Sequence, residues 1–312
     1  MQFLIDVSLI VIGLVLLYYG ANLLVRGSEI LGRKFGLSTL VTGITIVAFG
    51  TSAPELAITL DAILTGNNDI ALANILGSNL ANIGLVLGVV SFCGAVKFHR
   101  SMVLVDVRFM MGAFLLLAFF LVDISLSRLE GSILFLGLVG YIAYRILDKD
   151  SDEGEILDQV PEKSASVIKC LILIITGALM LAIGGDTLVK GASTLAIDLG
   201  VSQSVIGFTV VAIGSSLPEI ATSAYAAKIG RGGLALGNVI GSNIWNSLGV
   251  MGFSAIILPI VGWDIAQHMS IAMVVAGIIL WLLIKTGKSI NRTQGIFLLL
   301  GYVAYQVFFL GL

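Results

Sequence analysis

Charge is what this sequence has least of. Asp, Glu, Lys and Arg make up 12% of its 312 residues, about half the share found in a soluble domain. That excludes an ordinary water-soluble chain. Histidine occurs twice, as His99 and His268, and cysteine twice, as Cys93 and Cys170. The cysteines lie in or beside apolar runs without ligand-like spacing, so neither a disulfide framework nor a cysteine metal site follows. There is no HExxH, no GxGD and no serine paired with a histidine inside an apolar run, so nothing supports an intramembrane enzyme. The net charge of −2 says little in so apolar a chain; no nucleic-acid partner and no cofactor are expected.

What is there is hydrophobic: 58% of the residues, with a mean hydropathy of +1.07. Runs of about 20 apolar residues, the length that crosses a bilayer, recur ten times, near 3–26, 37–64, 70–95, 102–122, 130–147, 167–189, 203–228, 234–259, 268–285 and 293–311. The composition and these runs predict an all-α integral membrane protein of ten transmembrane helices. The first run has no Lys or Arg before Arg26, so it lacks the basic start of a signal peptide and reads as a retained helix.

Threading ten spans divides the 17 basic residues very unevenly. Arg128 and Lys190 fall on one side and the other fifteen, from Arg26 to Arg292, on the other. The positive-inside rule makes the fifteen cytoplasmic and both termini extracellular. A multi-pass protein of the cell membrane is expected.

Residues 37–90 align with 201–254 without a gap, and 22 of the 54 positions are identical. This is an internal duplication at an offset of 164. Each copy holds five spans, an odd number, so the second enters the membrane upside down. Inverted repeats of this kind mark secondary transporters, whose sites lie near the midplane between the halves. The expected organisation is a first repeat over 1–147, a cytoplasmic acidic linker over 148–165 and a second repeat over 166–312. The linker opens like a calcium loop, with Asp148, Asp150 and Asp152, but Glu153 and Gln159 stand where the Gly and Glu of that loop are required. It reads as a solvated linker.

The duplicated stretch contains GTSAPELAIT at 50–59 and GSSLPEIATS at 214–223. A charged carboxylate in mid-span costs at least about 2.5–3.5 kcal/mol, and Glu55 and Glu219 both incur it at equivalent positions. Each follows a proline, Pro54 or Pro218, which cannot donate to the carbonyl four residues earlier. Gly50 and Gly214, and the neighbouring Ala48 and Ala212, are thereby predicted to expose carbonyl oxygens, and broken helices are tolerated at this depth where they line a cavity. Thr51 and Ser52 share a helical face with Glu55, and Asn74, Ser78 and Asn82 follow at steps of four. Ser215, Ser216, Glu219, Asn238, Ser242 and Asn246 repeat the set. Such oxygens suit hard cations such as Ca²⁺ rather than transition metals. Polar stripes also serve as helix–helix glue, the preferred reading for Asn79 and Asn243. Asp61, Asp106, Asp123 and Asp186 are assigned interfacial or structural roles, Asp186 with Lys190 as its local partner four residues on.

The pair GTSAPE…NILGSNLAN and GSSLPE…NVIGSNIWN resembles the alpha-repeats of the calcium/cation antiporter superfamily, nearest to its prokaryotic sodium/calcium exchangers. The resemblance covers essentially the whole chain. It implies a cluster of Na⁺ and Ca²⁺ sites formed by Thr51, Ser52, Glu55, Ser78, Asn82 and the Ala48 carbonyl, with Ser215, Ser216, Glu219, Ser242, Asn246 and the Ala212 carbonyl. It also implies sliding of the first and sixth spans across the core, and Asn246 in place of an aspartate implies independence from K⁺. The chain is therefore expected to exchange Na⁺ for Ca²⁺ electrogenically, as a monomer in the bilayer. The alternative is H⁺/Ca²⁺ exchange, although the Gly-Asn-x-x-Glu signature of proton-coupled members is missing, with Gly241 standing where its acid would be. A passive cation channel is the less favoured reading.

Overall fold

Ten helical segments account for the apolar runs in the computed structural model, which describes residues 2–94, 96–98, 100–147, 166–201, 206, 212–262, 265–287 and 289–310. The first half contains α1 (Gln2–Lys34), α2 (Thr39–Leu64), α3 (Asn68–Cys93), α4 (Arg100–Phe120) and α5 (Arg128–Leu147). The second contains α6 (Val167–Asp198), α7 (Ala212–Gly214 and Leu217–Lys228), α8 (232–257), α9 (Ile265–Thr286) and α10 (Arg292–Leu310). Among the described residues seven of these helices are long and apolar enough to cross a membrane; α7, α8 and α10 complete the ten. The expected linker, 148–165, lies outside the described residues, as do 202–205 and 207–211 of the seventh run.

Two boundaries differ from expectation. The apolar runs end at 26 and 189, whereas α1 continues to Lys34 and α6 to Asp198. Hydropathy marks the stretch immersed in hydrocarbon, not the end of the helix. Arg33 and Lys34 in the last turn of α1 favour its carbonyl end electrostatically. At 33 residues, α1 is about 50 Å long, against a hydrocarbon core of about 30 Å.

The inverted relation of the halves is visible in how α1 and α6 touch. Gly13, Gly20 and Gly27 recur every seven residues, and the 164-residue offset carries them onto Gly177, Gly184 and Gly191. A Cβ on Gly20 would sit 2.9 Å from the Gly177 carbonyl oxygen, and one on Gly177 2.8 Å from the Gly20 oxygen. Gly13 meets the Gly184 oxygen at 2.8 Å, Gly184 meets Gly13 at 3.0 Å, and Gly27 lies against Cys170 as Gly191 lies against Asp6. The numbers rise on one helix as they fall on the other, so the helices are antiparallel. Each contact also has a mirror copy with the halves exchanged, as in a self-complementary two-fold interface.

The same exchange recurs elsewhere. Gly131 of α5 packs against Gly252 of α8, and their counterparts Gly295 of α10 and Gly88 of α3 pack together likewise. Two short antiparallel ribbons join the halves at the helix ends: β1 (Val96–Lys97) with β4 (Ser289–Ile290), and β2 (Ser125–Leu126) with β3 (Ile260–Val261). Val96 pairs with Ile290, and Leu126 with Ile260, again exchanged counterparts. One end of the bundle gathers β1, β4 and the Glu29–Arg231 ion pair at 2.7 Å. The other gathers β2, β3 and Arg128, which donates to the Ile257 carbonyl at 3.4 Å.

Backbone against backbone leaves α1 and α6 no room to accommodate a side chain. Gly20→Val and Gly177→Val should each destabilise the detergent-solubilised protein by about 1–3 kcal/mol, as overpacking does. Gly140→Ala, where a Cβ meets nothing within 4 Å, should leave the thermal unfolding midpoint unchanged.

Candidate cation site

The polar stripes converge where α2 and α3 meet α7 and α8. Their helices are interrupted there, in two ways. In α2 a π turn over Gly43–Val47 precedes Ala48, and the helix then runs unbroken through Pro54 to Leu64. In α7 the helix breaks outright: Ala212–Gly214 ends, Ser215 and Ser216 form a turn, and Leu217–Lys228 restarts with Pro218 in its first turn. Proline suits that position because no intrahelical partner is lost. Two further π turns occupy equivalent positions, Asn82–Val86 in α3 and Trp245–Val250 in α8. Each adds a residue to a turn and rotates the face beyond it, a feature frequent at functional sites. The Ile44 carbonyl, inside the first π turn, accepts the Trp245 indole N–H at 3.2 Å.

Glu55 and Glu219 are both buried, on helices that touch one another. The hydroxyls of Thr51 and Ser242 lie beside the Glu219 carboxylate. Among the described residues no group forms a well-aligned hydrogen bond with any of the four carboxylate oxygens. The same holds for the hydroxyls of Ser52 and Ser216 and for both amide atoms of Asn82 and Asn246. These six residues are three pairs at the 164-residue offset. Buried polar groups nearly always have partners, and orphans point to a bound water or ion.

Other predicted residues make direct contacts between the halves. The Thr51 hydroxyl lies 3.2 Å from that of Ser242 and donates to the Asn238 side-chain oxygen at 3.1 Å. It also reaches the Ala48 carbonyl at 3.3 Å, so that carbonyl is engaged within its own helix. Ser78 and Ser215, the exchanged counterparts of Ser242 and Thr51, approach to 3.4 Å. Ala212 opens the short helical turn that carries Ser215. The π turn begun by Asn82 packs against the helix of Glu219, and that of Trp245 and Asn246 against the helix of Glu55.

The stripe residues Asn74 and Asn238 do something else. Asn74 donates to the Thr59 hydroxyl at 3.1 Å and to the Glu55 carbonyl at 3.2 Å, and Asn238 donates to Ser223 at 2.9 Å. They fasten α3 to α2 and α8 to α7, holding the acid-bearing helices in place. Thr59 and Ser223 escaped the sequence reading, although the repeat aligns them. Asn79 is helix glue, donating to Ser247 at 2.9 Å, and Asn243 donates back to the Val239 carbonyl. Asp106 is buried in an ion pair with Arg145 at 3.0 Å and accepts from Tyr141 at 2.7 Å. Asp123 caps the turn at Ser125, Asp186 pairs with Lys190 at 2.6 Å, and Asp61 and His268 are exposed. His99 lies outside the described residues. Among the described residues no three His, Cys, Asp or Glu side chains stand together, as a transition-metal centre would require.

A cavity of about 470 Å³ leads to this cluster from one end of the bundle, lined by Asn74, Ser78, Asp186, Ser215, Pro218 and Gln306 among others. On the side of α1, Ala21, Leu24 and Val25 are buried, with Leu24 against Gly50.

Comparison with known proteins agrees with this architecture. The family described as "Sodium/calcium exchanger protein" matches the chain twice, over residues 5–147 and 169–311. CaxA of Alkalimonas amylolytica is 36% identical over 307 residues, spanning 95% of this chain and 96% of that one. The sodium/calcium exchanger MaX1 of Methanosarcina acetivorans is 29% identical over 338 residues, spanning 96% and 97%. A solved structure of the sodium-calcium exchanger NCX_Mj, soaked with zero Na⁺ and Ca²⁺, superposes with a TM-score of 0.81 at 31% identity, covering 96% of this chain and 97% of that one. With two family matches that together span nearly its whole length, the chain is a multi-pass membrane protein of the sodium/calcium exchanger family.

Proposed function

We propose that the protein exchanges Na⁺ for Ca²⁺ by alternating access, electrogenically, without K⁺, and as a monomer in the cell membrane with both termini extracellular. The observation that carries this reading is the set of buried, partnerless oxygens on Ser52, Glu55 and Asn82 and their counterparts Ser216, Glu219 and Asn246. With Thr51, Ser215, Ser78, Ser242 and the carbonyls of Ala48 and Ala212, they form an all-oxygen donor set. That chemistry suits Ca²⁺, which takes about six to eight oxygens in flexible geometry, and it suits Na⁺ equally. The sodium/calcium exchange named for MaX1 and NCX_Mj agrees with it.

The acids supply the coupling. Carrying about two negative charges, the unloaded site resists being closed off from water. One Ca²⁺ neutralises it, and three Na⁺ leave one net charge to move per cycle. Loaded forms can close and reopen on the other side, while the bare form cannot, which makes transport an exchange rather than a leak.

The test is radiolabelled Ca²⁺ uptake into Na⁺-loaded proteoliposomes. Uptake should follow the Na⁺ gradient, reverse at a potential fitting three Na⁺ per Ca²⁺, and persist when K⁺ is replaced by choline. Uptake driven equally by a proton gradient without Na⁺, or flux that continues without any counter-ion, would overturn the reading. Glu55→Gln and Glu219→Gln should each weaken Ca²⁺ binding by about 1.5–3 kcal/mol, the worth of an interaction with a charged group, or roughly tenfold to a hundredfold in apparent affinity. Asn246→Asp adds a third carboxylate that one Ca²⁺ cannot neutralise. Uptake by that variant should slow and become responsive to an added monovalent cation, read by titrating K⁺ into the same assay.

A further inference from the structure

The halves are equivalent in sequence offset but not in conformation, and the difference is concentrated where α1 and α6 meet the core. On the closed side Asn22 of α1 donates to the Tyr225 hydroxyl of α7 at 2.8 Å, and Tyr18 packs its ring edge-on against Tyr225 at 5.8 Å. On the open side the counterparts of Tyr18, Asn22, Arg26 and Tyr225 are Ala182, Asp186, Lys190 and Asp61. Ala182 and Asp186 line the cavity. Lys190 is exposed and pairs with Asp186 on its own helix, while Asp61, one turn along α2 from the cavity-lining Ile58, is exposed without a side-chain partner among the described residues. The register differs too. A Cβ on Gly50 would strike Leu24, yet one on its counterpart Gly214 would strike Val189, one residue beyond the counterpart of Leu24.

A pseudo-two-fold carrier reaches its opposite state by exchanging the conformations of its halves. Applied here, that exchange loosens α1 from Tyr225 and brings Asp61 among Ala182, Asp186 and Lys190, as Tyr225 now lies among Tyr18, Asn22 and Arg26. Two carboxylates cannot meet there alone, but Lys190 stands where it can bridge both. We propose that Lys190, Asp186 and Asp61 form an ionic latch that seals the cavity mouth in the alternate state, the counterpart of the Asn22–Tyr225 bond that seals the far side in this one. The two gates differ in chemistry, one aromatic and neutral, the other ionic. The ionic one is weakened by salt on its own side of the membrane.

This rests on reading the chain as an alternating-access carrier, and cross-linking tests the movement without depending on which ions drive it. In a background carrying Cys93→Ser and Cys170→Ser, the pairs Asn22→Cys/Tyr225→Cys and Asp61→Cys/Lys190→Cys should each form a disulfide on oxidation. With all four cysteines introduced, each molecule should carry one bond or the other. Both bonds in one molecule, or no bond between 61 and 190 under any ionic condition, overturns the latch. Exchange assays supply the second arm. Asp61→Lys and Lys190→Asp should each lower the population of the sealed mouth by up to about fivefold, the worth of one exposed ion pair. The combination restores it, because a cation again stands between two carboxylates. A double variant no better than the single ones refutes the pairing.

Discussion

Ionised acids buried near one another inside a membrane repel, because little water is there to screen them. Glu55 and Glu219 are both buried, on helices that touch, and the rest of the centre can be understood as the accommodation of these two groups. Fasteners at Asn74 and Asn238 fix the two helices that carry them. The π turns that begin at Asn82 and Trp245 pack against the helix of the opposite half's acid. Hydroxyls from both repeats crowd the gap. Among the described residues neither carboxylate is held in an ion pair.

The duplication makes this possible at small expense in sequence. One motif, written twice and inserted in opposite senses, delivers matched ligands from both sides of the bilayer. The two copies meet along a glycine seam, where the backbones of α1 and α6 are in contact from Asp6 to Gly27 of α1. The register of these helices against the core differs between the halves by one residue, at Gly50 and Gly214.

Much of this was legible in the residues. Hydropathy set the ten segments, the ungapped offset of 164 set the repeat, and a glutamate after a proline in mid-span marked the centre twice. The parts that escaped have physical reasons. Two-residue ribbons such as Val96–Lys97 carry no periodicity to detect. Asn74 and Asn82 are equally spaced from Ser78, yet one is fastened to Thr59 and the other has no partner among the described residues, because spacing along one helix does not say which neighbouring helix stands opposite each turn. Pro54 and Pro218 are aligned and identical, yet α2 runs through its proline while α7 breaks two residues before its own. Residues identical in the two copies thus hold two conformations in one molecule.

The exchanged contacts carry a consequence for biogenesis. Gly13, Gly20 and Gly27 find their neighbours on α6, Gly88 on α10 and Val96 on β4. When the first five helices have left the ribosome, each of these surfaces is still bare. Each half carries surfaces that only the other covers, so these contacts cannot form until the second half has been synthesised. Interlocking of this kind places the decisive assembly step at the end of translation, when α10 arrives to fill the last groove.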